Sequence, residues 1–266
     1  MTIADVAAER GAKLIRANGI DIAYTDVGDG PPLMLLHGGL VSTGPGWAGS
    51  PAAHVDHLGA LGEHFRVIAP DTRGSGATVH AGGTATFDVL ADDVVALVTA
   101  LGLDRPLFAG FSEGGTTATV VALRRPDLVR ALVNHAGFDV FDPHAMAHQT
   151  IRPIFGGRPD ATAADPDAAE RTIQSMSPVM AAMFATMKAD YDGAQGEGHW
   201  RETSDSSSTA ASPRWATQSP TSPTSPSPRS SSRATVTCLA APKGRAWCIG
   251  AFRRASSASC REPATR

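Results

Sequence analysis

Gly110-Phe111-Ser112-Glu113-Gly114-Gly115 follows the short apolar run Pro106-Leu107-Phe108-Ala109 and leads into a helical one from Thr116 to Leu123. Strand, sharp turn and helix in that order are the setting a G-x-S-x-G elbow requires. Such a turn holds its central residue in a strained backbone conformation, and flanking glycines avoid clashes between a Cβ and neighbouring backbone. Gly110 and Gly114 are therefore read as the elbow glycines. Ser112 is read as the nucleophile, its hydroxyl exposed at the sheet edge. The N-terminus of the following helix lies beneath it in this reading, and its dipole favours developing negative charge.

A second element stands where acyl transfer would need it. Leu33-Met34-Leu35-Leu36 reads as a buried strand that runs directly into His37-Gly38-Gly39-Leu40. Acyl transfer passes through a tetrahedral oxyanion, stabilised by backbone N–H groups aimed at it. Glu113, the residue after Ser112, supplies one such group in this reading. Gly39 supplies the other, since glycine lets the backbone approach a substrate closely. Taken alone, His-Gly-Gly is equally an ordinary strand-ending turn. Its pairing with the elbow favours the functional reading.

Around these two motifs the chain resembles the α/β-hydrolase family over roughly residues 15 to 140. The order is a strand from Ile20 to Tyr24, the Leu33–Leu36 strand with His37-Gly38-Gly39, then Phe65-Arg66-Val67-Ile68-Ala69-Pro70-Asp71. The turn Arg73-Gly74-Ser75-Gly76 follows, as it commonly does after the family's fourth strand. Phe87 to Leu101 reads as an amphipathic helix with Val89, Leu90, Val94, Leu97 and Val98 on one stripe. Arg130-Ala131-Leu132-Val133-Asn134 reads as the sixth strand. The expected fold class is α/β: an α/β-hydrolase fold, with a mostly parallel sheet covered by helices on both faces. Residues 1–139 form the expected core, 140–200 a helical cap and 201–266 a tail.

Composition agrees with one such domain. A chain of 266 residues, 42% hydrophobic, can bury a substantial core. Met1 to Ile15 carries Asp5, Glu9, Arg10 and Lys13, so no signal peptide is expected there. No run of some twenty apolar residues occurs, so no membrane span is expected and the protein is read as cytoplasmic. In the cap, Pro159 to Pro166 reads as loop, and Asp167–Gln174 and Val179–Ala189 as helices. Met176, Met180, Met183 and Met187 share one helical face there. That stripe packs onto the core or serves as an adaptable lid.

The C-terminal quarter breaks the pattern. Residues 201–266 hold 15 serines against 6 in the first 200. They carry ten basic and three acidic side chains, net +7, against net −10 for the rest. Cys238, Cys248 and Cys260, the chain's three cysteines, all lie there. No strand is expected before Ala246, and Ser219 to Pro226 is low-complexity. A flexible extension, a phosphate-binding arm and translation in the wrong frame all fit, and the last is favoured. Each codon can be rebuilt from the last base of one residue's codon and the first two of the next. From about Ser219 this permits a Gly-Asp-x-Asp loop, and near the end Gly-x-Gly-His. Those resemble the family's acid and histidine loops.

That matters because a serine hydroxyl needs an imidazole to take its proton and a carboxylate to orient the imidazole. The family order is Ser, then Asp or Glu, then His. Here the last histidine is His199. His37 belongs to the expected oxyanion loop; His54, His57, His64 and His80 precede the nucleophile; His135 ends the sixth strand in a packing or hydrogen-bonding role. His144 and His148 fall in the cap or at the surface. None is assigned as base. Asp139, after the sixth strand, stands where some family members carry the acid, although a loop or helix-initiating role suits it too.

Asp71 and Arg73 read as an internal turn-stabilising pair, and Asp92 and Asp93 as solvent-facing. Neither metal-ligand spacing nor a phosphate loop occurs, so no metal, cofactor or nucleic-acid partner is expected. The resemblance implies a serine hydrolase acting on a small-molecule acyl substrate, such as a carboxylic ester, and impaired in this chain. Carbon–carbon bond hydrolases and perhydrolases of the family use the same serine site. Dehalogenases and epoxide hydrolases carry Asp at the nucleophile position. A non-catalytic member of the fold, binding a small apolar ligand, is the reading from another class. The sequence leaves the oligomeric state open.

Overall fold

The structure, a computed structural model, describes residues 2–39, 56–79, 85–137, 171, 174–175, 177–199 and 235–236. Asp139, the Pro159–Pro166 loop, Met176 and the side chains of Met180, Met183 and Met187 lie outside the described residues. So do His54, His80, His144, His148 and, apart from Thr235–Val236, the tail.

The strands are β1 (Lys13–Ala17), β2 (Ile20–Val27), β3 (Pro32–Leu36), β4 (Arg66–Pro70), β5 (Leu107–Phe111), β6 (Ala131–His135) and β7 (Thr235–Val236). They form one sheet in the order β1-β2-β4-β3-β5-β6-β7. The β1–β2 and β2–β4 pairs are antiparallel, and β4, β3, β5, β6 and β7 run parallel to one another. β7 stands where no strand was expected. Its two residues add to β6 through Ala131↔Thr235 and Leu132↔Val236. β1 was not anticipated either, because a five-residue strand with only Ala17 buried carries little apolar signal.

β3 reads as an unbroken apolar run because both faces of a parallel sheet are covered. Its alternate residues feed two separate cores. Met34 and Leu36 pack with Ile68, Phe108, Val121 and Leu132, beneath α3 (Phe87–Ala100) and α4 (Glu113–Arg124). Leu33 and Leu35 pack on the opposite face with Val67, Ala69 and Leu58 of α2 (His57–Gly62). α3 starts where Thr86 Oγ1 accepts the Val89 N–H at 3.1 Å, satisfying one of the helix's orphan donors. Leu90, Val94, Leu97 and Val98 are buried as the stripe required, with Val89 only half-buried.

Two expectations fail in this region. Asp93 does not face solvent: it is 6% exposed, on the same buried stripe of α3. Asp92 does face outward, paired with Arg124 at 2.9 Å. Nor is Arg73 the turn partner of Asp71. Asp71 Oδ2 accepts the Ala77 N–H at 2.9 Å and so closes the turn, while the Arg73 Nε–H donates to Asp93 Oδ2 at 2.8 Å. Local spacing suggested the wrong partners because a guanidinium on a long stem reaches across to the next helix.

Two further helices among the described residues are α1 (Ile3–Glu9), started by a Thr2–Asp5 capping box, and α5 (Pro178–Gln195), which starts one residue before and ends six residues past the expected Val179–Ala189. Arg10, just after α1, ties it to α5 by an ion pair to Asp190 at 2.8 Å. No described helix is long and apolar enough to cross a membrane.

Candidate active site

In an open α/β sheet, ligands bind outside the carboxyl ends of the strands where the chain's direction of travel reverses. Here the chain passes from β3 to β4 on one side, then returns to β5 on the other. The carboxyl ends of β3 and β5 lead into His37-Gly38-Gly39 and Ser112 respectively. Topology therefore brings together two motifs separated by some seventy residues.

Ser112 has φ 52° and ψ −115°, a conformation that costs a non-glycine residue energy and persists only where its surroundings impose it. Those surroundings are identifiable. The Ser112 N–H donates to His135 O at 2.9 Å, and Ser112 O accepts the Thr116 N–H at 3.0 Å as the first bond of α4. Any Cβ on Gly110 would collide with the backbone of Gly114, and any Cβ on Gly114 with Leu36 O. The glycines let helix, elbow and β3 approach closely. α4 starts at Glu113, directly after Ser112 and three residues earlier than the helical run suggested.

The glycine loop after β3 lies against this elbow. A Cβ built on Gly38 would stand 3.2 Å from Ser112 Cβ, and one on Gly39 would stand 2.9 Å from the carboxylate carbon of Glu113. The peptide between Gly38 and Gly39 is oriented by His37. The Thr72 N–H can only donate, and it meets His37 Nε2 at 3.0 Å, so Nε2 accepts. The ring proton then resides on Nδ1, which donates to Gly38 O at 2.8 Å. Across a trans peptide the carbonyl and the N–H point in opposite directions, so fixing Gly38 O also aims the Gly39 N–H. His37 is 2% exposed and wholly committed to this arrangement.

No described histidine hydrogen-bonds Ser112 Oγ. His135, at the end of β6, is exposed and sets its ring at 57° to that of Phe111, centroids 5.2 Å apart. His199 is buried and its Nε2–H donates to Gly74 O at 3.0 Å. Among the described residues no group of three or more His, Cys, Asp or Glu could hold a metal ion. A cavity lined by Leu36, Asp71, Arg73, Leu90, Asp93 and Gly114 lies between the sheet, α3 and α4. Its lining does not include Ser112, so it sits under the elbow helix rather than over the nucleophile.

Sequence reading missed Tyr191 and Gln195 and gave His199 no contact. Tyr191 and Gln195, four apart, share one face at the end of α5, and His199 follows beyond the break at Gly196 and Gly198; all three engage the turn after β4. Tyr191 Oη lies 2.7 Å from Ser75 Oγ, and Gln195 Nε2 donates to Gly76 O at 3.0 Å and Thr78 O at 3.1 Å. The i, i+4 spacing of Tyr191 and Gln195 was the available signal.

A strained serine on a strand–helix elbow, flanked by a glycine loop from the neighbouring strand, defines a hydrolase-type α/β protein. Residues 31–186 match the sequence profile described as alpha/beta hydrolase fold, and the chain belongs to that family. It is similar to RutD of Agrobacterium fabrum: 37% identity over 118 residues, 43% of this chain and 41% of that one. It is also similar to haloalkane dehalogenase 2 of Mycobacterium tuberculosis, 37% identical over 113 residues, 42% of this chain and 37% of that one. The chain thus spans about two fifths of the length of these relatives. A hydrolase from Pseudomonas aeruginosa shares the fold, with a TM-score of 0.51 and 23% identity over 76% of this chain and 73% of that one.

Proposed function

We propose that the chain is a serine hydrolase that cleaves a carboxylic ester or a related acyl compound through an acyl-enzyme on Ser112. The observation that carries the reading is the positive-φ conformation of Ser112 at the N-terminus of α4, with Gly38 and Gly39 beside it. In the reaction, Ser112 Oγ attacks the acyl carbon and loses its proton to a base. The carbonyl oxygen gains negative charge against the Gly39 and Glu113 N–H groups. Collapse expels the alcohol, and water then releases the acid and frees Ser112. Serine at position 112 argues against dehalogenase and epoxide hydrolase chemistry, which in the resembling enzymes relies on Asp there.

Turnover by this chain is low in our reading, since no described histidine reaches Ser112 Oγ and the sequence has none after His199. Loss of the base removes most nucleophilic catalysis while leaving some from the oxyanion donors. Asp139 remains the proposed acid. Two measurements test the proposal. A fluorophosphonate probe should label wild type slowly, at the residual level that the oxyanion donors sustain without a base, and Ser112→Ala not at all; absence of labelling in wild type overturns it. Sequencing of the coding DNA across residues 195–266 should reveal a one-base insertion or deletion. The corrected frame should encode Gly-Asp-x-Asp and Gly-x-Gly-His and raise p-nitrophenyl acetate hydrolysis by several orders of magnitude. The lack of a described base also suits a second reading, a ligand-binding protein without turnover, for which ligand affinity would be unchanged in Ser112→Ala.

A further inference from the structure

The geometry points to Tyr191 as a positioning residue for the oxyanion loop, acting through a relay from Ser75 to the carbonyl of Gly39. This rests on the serine hydrolase reading and extends it to a residue far from the elbow in sequence.

Two peptide planes flank Gly39. The first, shared with Gly38, is set by His37 as described above. The second begins at the Gly39 carbonyl, and the Tyr191 O–H donates to that oxygen at 3.4 Å. A carbonyl only accepts, so the phenol proton belongs to this contact. Ser75 Oγ, 2.7 Å from the same phenol oxygen, then supplies its own proton to it. The relay runs Ser75 O–H to Tyr191 O–H to Gly39 C=O.

At 3.4 Å the last bond is long for O–H···O and steers the carbonyl rather than locking it. Both anchors of the loop lead back to one turn: Thr72 holds His37, and Ser75 holds Tyr191. That turn is in turn held by Gln195 at the end of α5 and by His199 just beyond it. Tyr191 is 5% exposed, so solvent does not compete effectively for its hydroxyl. The arrangement makes the docking of α5 a condition for holding the second peptide plane at Gly39, while His37 holds the first, so that both sides of the Gly39 amide are fixed.

The test compares wild type, Tyr191→Phe and Ser75→Ala as full 266-residue proteins. Tyr191→Phe keeps the ring and its packing. Ser75→Ala leaves the phenol in place and serves if the first variant folds poorly. One readout is the rate of Ser112 labelling by a fluorophosphonate, resolved into a maximal rate and a half-saturating concentration. Its P=O oxygen gains charge in the same place as the acyl oxygen. The other is amide hydrogen exchange in the segment carrying Gly38 and Gly39. Removing a direct oxyanion donor costs two to three orders of magnitude, so loss of a group that only orients one should slow maximal labelling about tenfold. The half-saturating concentration should stay within about twofold, and exchange in the segment should quicken. Ser75→Ala should change both in the same direction by less. Equal maximal labelling in wild type and Tyr191→Phe, or unchanged exchange, overturns the inference and leaves the hydrolase reading intact. An unlabelled wild type overturns the hydrolase reading and this inference with it.

Discussion

Arg73 and Asp93, twenty residues apart in the chain, form a two-pronged ion pair in the interior, each with a side chain only 9% exposed. Asn18 Nδ2 donates to the same carboxylate at 2.6 Å. The pair binds the turn after β4 to α3, directly beside the internal cavity. Breaking such a pair from one side leaves a buried charge without compensation.

Asp93→Ala should therefore destabilise the protein by about 3–5 kcal/mol. Replacing both partners by apolar residues of similar size, Arg73→Met with Asp93→Leu, should recover most of that loss. Urea unfolding checks this: the midpoint should fall sharply in the single variant and return toward wild type in the double.

Glycine substitutions should separate steric necessity from adaptable contact. A methyl at Gly110 or Gly114 meets backbone atoms that cannot retreat. Gly110→Ala and Gly114→Ala should each cost at least the ~1–3 kcal/mol typical of overpacking. At Gly39 the obstacle is the end of the flexible Glu113 side chain. Gly39→Ala should keep a wild-type melting temperature within a few degrees while slowing Ser112 labelling. Thermal melts of the three variants decide it.

Replacing His37 should orphan two backbone groups at once, the part-buried Thr72 N–H and the buried Gly38 O. Each unsatisfied group costs about 1–3 kcal/mol. His37→Phe fills the space without restoring either bond, so denaturant unfolding should show a loss of that size. Hydrogen exchange at Thr72 should accelerate in parallel.

Acid sensitivity has an identifiable contributor in Asp26. The hydrogen bonds from Arg66 hold its carboxyl below the usual carboxylate range, assisted by Lys13 and opposed by partial burial. The folded-state pKa lies below the unfolded one, so the stabilisation is complete above about pH 4 and lost as pH falls through the folded value. Arg66 and Lys13 are 37% and 59% exposed, so solvent screening limits the effect to about 1 kcal/mol or less. Asp26→Asn should be less stable than wild type at pH 7 and closer to it at pH 2, by urea unfolding at both.

Much of the fold was legible because its signals are local. The apolar run of β3 and β4, the period of α3 and the glycine-flanked serine each fit within fewer than fifteen residues. Even the joining of His37-Gly38-Gly39 to Ser112 could be inferred, because parallel strands bring their carboxyl ends to one side. Backbone sterics and hydrophobic periodicity act over such distances, and a single sequence records them directly.

Side-chain partnership is a different matter. Asp93 looked like a solvent-facing residue because its charge says nothing about a guanidinium arriving from the turn after β4. Tyr191 fell two residues past the expected end of a cap helix and drew no reading, although its hydroxyl meets Ser75, 116 residues away in the chain. Charged and polar groups can satisfy themselves with water or with many protein partners, at similar cost until burial removes the water. The sequence by itself determined the strands from β2 to β6, the elbow and the position of Ser112, while β1 and β7 carried too little apolar signal to be read. Only tertiary packing decided which polar groups were buried, and so which of them had to find one another.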